Sequence, residues 1–526
     1  MLGALRNPLY RGGYALILNT GATSLLGAAY WALAARLYGR QEVGRGSALV
    51  SALILVSSIA QLNLANTLPR FLPLAGRSAG RLISCSYWVT SLTALIGGVV
   101  FVTLLSPLNT QWRFLGGSAF LAVLFIAGTL FWGVFALQDA ALLGLRHPGV
   151  VPAENAAYGV CKLLLLAGVA WLLPSGGIFF SWVIPLAVIV PAVNWLIYHR
   201  YLKDRGVAGT PAQFGAREVV RFASVDYVGS LLGQTYGNVL PLLVLAWLGA
   251  AANGSFYIAW TIAAAAEMVA TNFATSMLVE GAGAPERLAE LTRGVLARCA
   301  AVTVPGAAAL ILAARPVLSI YGTAYVAHAS SLLGLLAVAT IPRGLVDITF
   351  ALDRIAGRVG RAAWSHLAVG VLVLGGSWLL VKWWGVDGVG LAWGGGNLIV
   401  AIVRLPTIVS AVRRRPAPSQ PVPSGPVPSN PAASGPAPLW PSPSASAAFG
   451  MAPTVPLALL DIQERSQRVD AQERSQRANG PRGPGAHRLA GRGQRPARGR
   501  RPARGRHRAA SRQASEPVVH SPAAGS

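Results

Sequence analysis

The segment Tyr14–Pro73 reads YALILNTGATSLLGAAYWALAARLYGRQEVGRGSALVSALILVSSIAQLNLANTLPRFLP. Its first apolar run ends at Arg36, and a turn containing three glycines separates it from a second apolar run that begins at Ser47. A helix that crosses a bilayer needs about 20 apolar residues. Each run is long enough, so the segment predicts two consecutive transmembrane helices.

Polar side chains are clustered near the end of the second predicted helix. Asn63, Asn66 and Arg70 are spaced three and four residues apart, which places them on one face of a helix. Polar groups in lipid are costly unless they face protein or water. Two interpretations stay open. The residues form a cavity wall that binds a polar, anionic head group, or they make interhelical hydrogen bonds while Arg70 marks the cytoplasmic interface.

The composition is typical of a membrane protein with a polar tail. The chain has 526 residues, of which only 12% are charged, and its mean hydropathy is +0.51. Residues 413–526 are rich in Pro, Ser, Gly, Ala and Arg, which predicts a disordered cytoplasmic tail. The net charge of +26 divides equally between this tail and the apolar part. We therefore expect no nucleic-acid partner.

Hydropathy predicts about twelve transmembrane helices. The loop Lys and Arg residues lie mostly on the side that holds the N-terminus, and the positive-inside rule then places both termini in the cytoplasm. The predicted location is the cytoplasmic (inner) membrane. The spans are about 14–36, 47–71, 82–106, 115–138, 154–173, 178–199, 222–249, 254–279, 295–313, 328–350, 364–382 and 387–410.

A weak internal repeat divides these spans into two halves. Gly46-Ser47 is matched by Gly254-Ser255, and Gly177 is matched by Gly385 at the same interval. Six spans fit between equivalent points, as in transporters with a parallel repeat. The expected domains are a six-helix bundle over 1–205, a second over 206–412 and the tail over 413–526.

Further intramembrane polar residues are candidates for binding or coupling. Glu154, Asn155 and Lys162 begin the fifth span, and Arg343 and Asp347, four apart, are expected to form a structural ion pair. Glu267 and Asp226 are candidates for proton or cation coupling, because an isolated carboxylate in lipid is expensive. The remaining cavity candidates, each with a structural alternative, are Gln234, Asn238, Asn272 and Arg404.

No catalytic or metal-binding pattern appears, and no cofactor is expected. The histidines lack metal spacing. The three cysteines, Cys85, Cys161 and Cys299, fall in apolar runs without pairing or metal spacing, which predicts buried thiols.

Six short segments stand out in the apolar part of the chain. They are Asn19-Thr20-Gly21, Leu33-Ala34-Ala35-Arg36-Leu37-Tyr38, Val43-Gly44, Leu62-Asn63-Leu64, Pro69-Arg70-Phe71-Leu72-Pro73 and Gly385-Val386-Asp387-Gly388-Val389-Gly390-Leu391-Ala392. Together they resemble the polysaccharide-export branch of the MOP superfamily, which contains the Wzx-like flippases. The resemblance covers about residues 10–412.

The resemblance implies two six-helix bundles that rock around a central, often cationic cavity. It also implies a non-enzymatic flippase for a lipid-linked oligosaccharide or polysaccharide precursor, with Arg70 at a family-like position. Membrane lipids and polysaccharide assembly proteins would be its partners. A cation-coupled drug exporter of the same superfamily is the nearest alternative. A membrane glycosyltransferase or polymerase and a scaffold acting through its tail are less favoured.

Overall fold

The computed structural model of the protein describes residues 8–202, 214–283 and 287–413, and the regular structure in these ranges is entirely helical. The predicted tail and the predicted domain boundary at 205/206 lie outside the described residues. The principal helices are α1 (Pro8–Leu37), α2 (Arg40–Ala60), α3 (Leu64–Phe71), α4 (Ala79–Val100), α5 (Ala119–Gly144), α6 (Val150–Val169), α7 (Gly177–Leu196), α8 (Ala216–Leu248), α9 (Ala250–Gly283), α10 (Leu288–Leu312), α11 (Ala314–Ser319), α12 (Thr323–Ile355) and α13 (Val359–Arg413).

Helix α13 consists of two arms that meet at Gly385, where the backbone is not helical (φ 52°). When α13 is divided there, the described ranges contain twelve long helices, which confirms the predicted polytopic all-helical class. Eight helices, with the two arms of α13 counted as one, are long and apolar enough to cross a membrane.

The second predicted span is not one helix, so the boundaries 47–71 are wrong. Helix α2 ends at Ala60 and α3 begins at Leu64. Between them Leu62 and Asn63 have φ values of 47° and 64°. This left-handed conformation cannot continue a right-handed helix, and Asn tolerates it better than most residues. Asn63 therefore precedes α3, while Asn66 and Arg70 lie within it.

We call α1–α7 the first half of the chain and α8–α13 the second half. They meet chiefly where α2 packs on α8 and α9. At the end of the molecule where α1 joins α2 (the α1–α2 end), Asn253 of α9 donates a hydrogen bond of 2.8 Å to the carbonyl of Gly44. Gly44 lies against the backbone of Ala250, with no room for a side chain. The close approach explains why glycine is needed here.

The glycines of the proposed repeat lie at helix starts or helix contacts. Gly46 and Gly254 lie on α2 and α9, the two helices that meet between the halves, and Gly385 begins the second arm of α13. The division into equivalent halves stays a prediction.

The expectation of three buried thiols is wrong, because Cys85 and Cys161 are exposed on the outer surface of helices α4 and α6 and only Cys299 is buried. In a bilayer, such a surface faces lipid.

Candidate functional site

The two halves also meet at the opposite end, around α3 (the α3 end). The Asn63 side chain donates to the carbonyl of Ala223 in α8 at 3.3 Å, and Asn66 donates to the Asn63 side chain at 2.6 Å. The Tyr227 hydroxyl of α8 donates to the carbonyl of Ile59 at 2.9 Å. Asn63 and Asn66 are buried in this contact, so the structure brings them together between the halves.

Arg70 completes the α3 end. Its guanidinium carbon lies 4.5 Å from the ring centroid of Phe222 in α8, and the side chain is half-buried. It forms no ion pair with a carboxylate among the described residues. A cation over an aromatic face is held weakly compared with a hydrogen-bonded ion pair. Arg70 is thus a cation available to an anionic group if the halves separate here.

The α1–α2 end holds several cross-half contacts in addition to that of Asn253. Arg36 donates to the carbonyl of Ser319 at 2.7 Å, and Asn109 donates to the carbonyl of Ala246 at 3.2 Å. Contacts between the halves are therefore present at both ends of the molecule in this conformation.

Lys162 lies in an aromatic cage inside the first half. Its ammonium is 4.2 Å from the Trp182 ring centroid, 5.0 Å from that of Tyr158 and 5.1 Å from that of Tyr30. The residue is 3% exposed and forms no ion pair within the described ranges. The three rings compensate for the buried charge. Its predicted contact with substrate stays a prediction.

Two carboxyl groups lie close together where α5 and α6 pack. Asp139 and Glu154 are both buried and are electrostatic neighbours. Asn155 donates to Asp139 at 3.5 Å, but neither carboxylate oxygen of Glu154 has a hydrogen-bond partner among the described residues. Glu154 and Lys162, two turns apart on α6, form no direct ion pair within the described ranges. Each lies in a separate environment.

The second half contains a connected polar network that joins α8, α9, α12 and α13. Arg343 forms an ion pair with Asp347 at 3.1 Å, as the four-residue spacing predicts, and donates to the Tyr236 hydroxyl at 2.7 Å. Thr271 donates to the other oxygen of Asp347 at 2.8 Å. Buried charges are retained when they are paired and hydrogen-bonded in this way.

Glu267 adjoins this network rather than facing lipid alone. The indole N–H of Trp393 donates to its Oε1 at 2.9 Å. The Arg343 guanidinium carbon lies 5.8 Å from the Trp393 ring centroid, so cation, indole and carboxylate form a continuous cluster. A change in the charge of Glu267 would act on residues from three other helices.

The remaining candidates have different surroundings. Arg404 forms an ion pair with the buried Asp353. Asn238 is buried in α8, and Asn272 is exposed on α9. Asp226 and Gln234 also lie in α8, but their side chains are outside the part of the chain that the structure describes. Over 8–202, 214–283 and 287–413, no group of three or more His, Cys, Asp or Glu side chains is placed to hold a metal ion.

Comparison with known proteins gives the fold. No protein-family model and no curated protein matches the sequence. Solved structures do match. The lipid II flippase MurJ in an inward closed conformation has a TM-score of 0.59 at 11% identity, over 76% of this chain and 88% of that one. The MATE multidrug transporter DinF-BH in complex with R6G gives 0.58 at 15% identity, over 78% and 97%.

The chain has the fold of MOP-superfamily transporters. A MATE family transporter of that superfamily in an inward-facing conformation also matches, with a TM-score of 0.54 at 14% identity over 74% of this chain and 94% of that one. These identities are too low to carry more than the fold. They agree with the fold that the resemblance implies and do not bear on its polysaccharide-export branch.

Sequence reasoning missed several residues that complete these clusters. Asp139 directly follows the predicted end of the fourth span, and an acidic residue in an apolar run is a signal that could have identified it. Tyr236, Thr271 and Trp393 carry no local signal, because ordinary aromatic and hydroxyl residues become informative only through their partners. Trp393 and Glu267 are 126 residues apart in the chain.

Proposed function

We propose that the protein is an alternating-access transporter that moves a lipid-linked oligosaccharide or polysaccharide precursor across the cytoplasmic membrane. The substrate would be a saccharide on a polyprenyl pyrophosphate, and the α3 end would face the cytoplasm. The observation that carries the proposal is the junction at the α3 end. There, two Asn residues and an Arg that has no carboxylate partner among the described residues lie between the halves. The fold, shared with a lipid II flippase and drug transporters, supports it.

Arg70 is the residue proposed to bind the pyrophosphate. In the present conformation its guanidinium lies on Phe222 of the opposite half. Opening the α3 end would remove that contact and leave the donors of Arg70 exposed to the cytoplasm. A planar guanidinium binds phosphate oxygens in bidentate geometry. Asn63 and Asn66, freed from Ala223, would donate and accept hydrogen bonds with sugar hydroxyls.

Glu267, with Asp226, is proposed to couple transport to a proton or cation. The Glu267 carboxylate is held by Trp393 and lies beside the Arg343–Asp347 pair. Protonation or ion binding would change the charge balance of a cluster that joins α8, α9, α12 and the second arm of α13. Such a cluster can favour one packing of these helices over another.

A cation-coupled drug exporter is the second candidate, and one observation favours it. Asp139 and Glu154 are buried carboxyl groups without a cationic partner in the described ranges. Carboxylates in this state can attract a cation or a proton. In the second half, Glu267 and Asp347 are already compensated by Trp393 and Arg343, which favours the lipid-linked saccharide as substrate.

The test is a flip assay in proteoliposomes with a fluorescent polyprenyl-pyrophosphate oligosaccharide. Wild-type protein is expected to move the label between leaflets, and Arg70→Gln to slow the movement at least tenfold. Arg77→Gln, which neutralises an exposed Arg nearby, is the matched control and should leave the rate unchanged. Transport of an organic cation dye with no movement of the saccharide would favour the exporter. A lengthened glycan would instead indicate a glycosyltransferase or polymerase.

A further inference from the structure

The short connection between α12 and α13 exposes two arginines at a fixed spacing. Gly357, with φ 68°, reverses the chain, and the backbone N–H of Arg358 donates to the carbonyl of Asp353 at 2.8 Å. Arg358 directly precedes α13 and Arg361 lies in its first turn, and both are exposed. The closed turn therefore holds two guanidinium groups on one edge of the molecule.

These arginines surround a carboxylate that already has a partner. Asp353, which is 1% exposed, accepts from Arg404 of the second arm of α13. Arg358 and Arg361 are close enough to act on the charges of both Asp353 and Arg404. Three guanidinium groups thus share one buried carboxylate, and the cluster carries an excess of positive charge.

Donors in this cluster remain unused. Neither the Arg358 nor the Arg361 side chain donates a hydrogen bond to a described residue, and the Nε of Arg404 is buried without a partner in the same part of the chain. A guanidinium carries five N–H donors in a rigid fork that matches phosphate oxygens. The cluster is therefore suited to an anion with several oxygens.

Tryptophans locate the cluster relative to the bilayer. Trp364 is 72% exposed one helical turn beyond Arg361, and Trp383 is 82% exposed near the far end of the same arm. The two are separated by about 29 Å of helix at 1.5 Å per residue, close to the thickness of a hydrocarbon core. Trp is enriched at both membrane interfaces. Arg358 and Arg361 thus lie at head-group level, where the anions are lipid phosphates.

The adjoining surface is apolar. Val403 and Leu405, which flank Arg404 on the second arm of α13, are exposed, as is Ile402. Exposed aliphatic side chains on a spanning helix contact acyl chains. If the phosphate of a lipid contacts the arginine guanidinium groups, its acyl chains can therefore pack against these aliphatic side chains.

We propose that Arg358, Arg361 and Arg404 form a binding site for the phosphate of an anionic phospholipid. Asp353 acts as the internal counter-ion that positions Arg404. The site lies on the lipid-facing edge of the second half and is distinct from the proposed transport path at Arg70. It is expected to hold a lipid of the bilayer rather than the transported substrate.

The site is tested by thermal unfolding of the full chain in detergent with added phosphatidylglycerol or phosphatidylcholine. Phosphatidylglycerol is expected to raise the Tm of the wild type, and Arg358→Gln with Arg361→Gln to remove at least half of that shift. The control double variant, Arg77→Gln with Arg81→Gln, neutralises two exposed arginines in the first half and should keep the shift. Equal Tm shifts with phosphatidylglycerol in the two double variants would overturn the proposed lipid site. A Tm shift of the wild type with inorganic phosphate equal to that with phosphatidylglycerol would also overturn it.

A variant expected to strengthen binding separates the site from a folding defect. Asp353→Asn keeps an acceptor for Arg404 but removes the negative charge, so the arginines are less compensated. Its Tm shift with phosphatidylglycerol should exceed that of the wild type, and native mass spectrometry should show more retained anionic lipid. A shift equal to or smaller than that of the wild type would contradict the proposed role of Asp353.

Discussion

Arg343 lies between the hydroxyl of Tyr236 and the carboxylate of Asp347 in a part of the second half that is largely shielded from solvent. Arg343→Gln would leave Asp347 and Glu267 without their cation. Removing one partner of a buried pair costs about 3–5 kcal/mol. We expect a clear fall in the Tm of the purified protein.

The matched control for Arg343 is Arg287→Gln. Arg287 also forms an ion pair within its helical segment, with Glu290, but both side chains are exposed. Exposed pairs contribute about 0–1 kcal/mol, so this variant should unfold near the wild-type temperature. Equal losses of stability in the two variants would show that the buried network contributes no more than a surface pair.

Lys162 provides a second test at this scale. Its ammonium fills a cage formed by Trp182, Tyr158 and Tyr30. Lys162→Met keeps most of the volume and removes the buried charge, so its Tm should equal or exceed that of the wild type. Lys162→Ala leaves a cavity and should cost about 2 kcal/mol or more.

The methionine variant also separates two roles for Lys162. Loss of transport in this stable variant would support the substrate contact that the sequence predicts. Retained transport would assign the lysine to packing alone. If Lys162→Met were less stable than Lys162→Ala, the claim that residue 162 fills an apolar space between the three rings would be wrong.

At the scale of elements, the crossing of α2 and α9 depends on Gly44. A side chain there would collide with the backbone of Ala250, and its Cβ would lie 2.8 Å from the backbone nitrogen of Gly254. Backbone cannot move aside without separating the helices. Gly44→Val is therefore expected to lower the Tm and open the α1–α2 end.

Labelling can detect that opening. A cysteine introduced by Ser47→Cys, at a fully buried position, should react with a maleimide faster in the Gly44→Val background. Gly39→Ala is the control, because an added Cβ at Gly39 meets nothing within 4 Å. Unchanged reactivity and Tm with Gly44→Val would show that the two helices tolerate a wider separation.

The elements themselves were largely predictable, because hydropathy and loop charge act over whole spans. The break after α2 was not predicted, since the pattern of Asn63, Asn66 and Arg70 also fits a continuous helix. The φ of Leu62 depends on tertiary packing. The partners of Glu267 and Arg404 lie on other helices, and one sequence gives no distance between helices. The sequence predicts Arg70 as a candidate binding residue, but not the contact of its guanidinium with Phe222.

At the scale of the whole molecule, contacts between the halves at both ends constrain how transport can proceed. In the proposed mechanism the α3 end opens for a saccharide head group to enter, so the contact of Asn63 with Ala223 breaks in each cycle. Joining these two positions should therefore stop transport. Asn63→Cys with Ala223→Cys, in a background without Cys85, Cys161 and Cys299, allows the two positions to be joined by a bismaleimide with a reducible spacer.

Transport by that variant is expected to be lost on cross-linking and restored by a reductant that cleaves the spacer. The matched pair is Ser84→Cys with Tyr198→Cys, whose native side chains meet at 2.8 Å within the first half. If each half moves as a unit, a link inside one half does not oppose the motion, and cross-linked protein should transport normally. Inhibition by the link inside one half, equal to that by the link between halves, would argue against rocking of two bundles. It would indicate instead that helices rearrange within each half, which the connected network around Arg343 and Glu267 should resist.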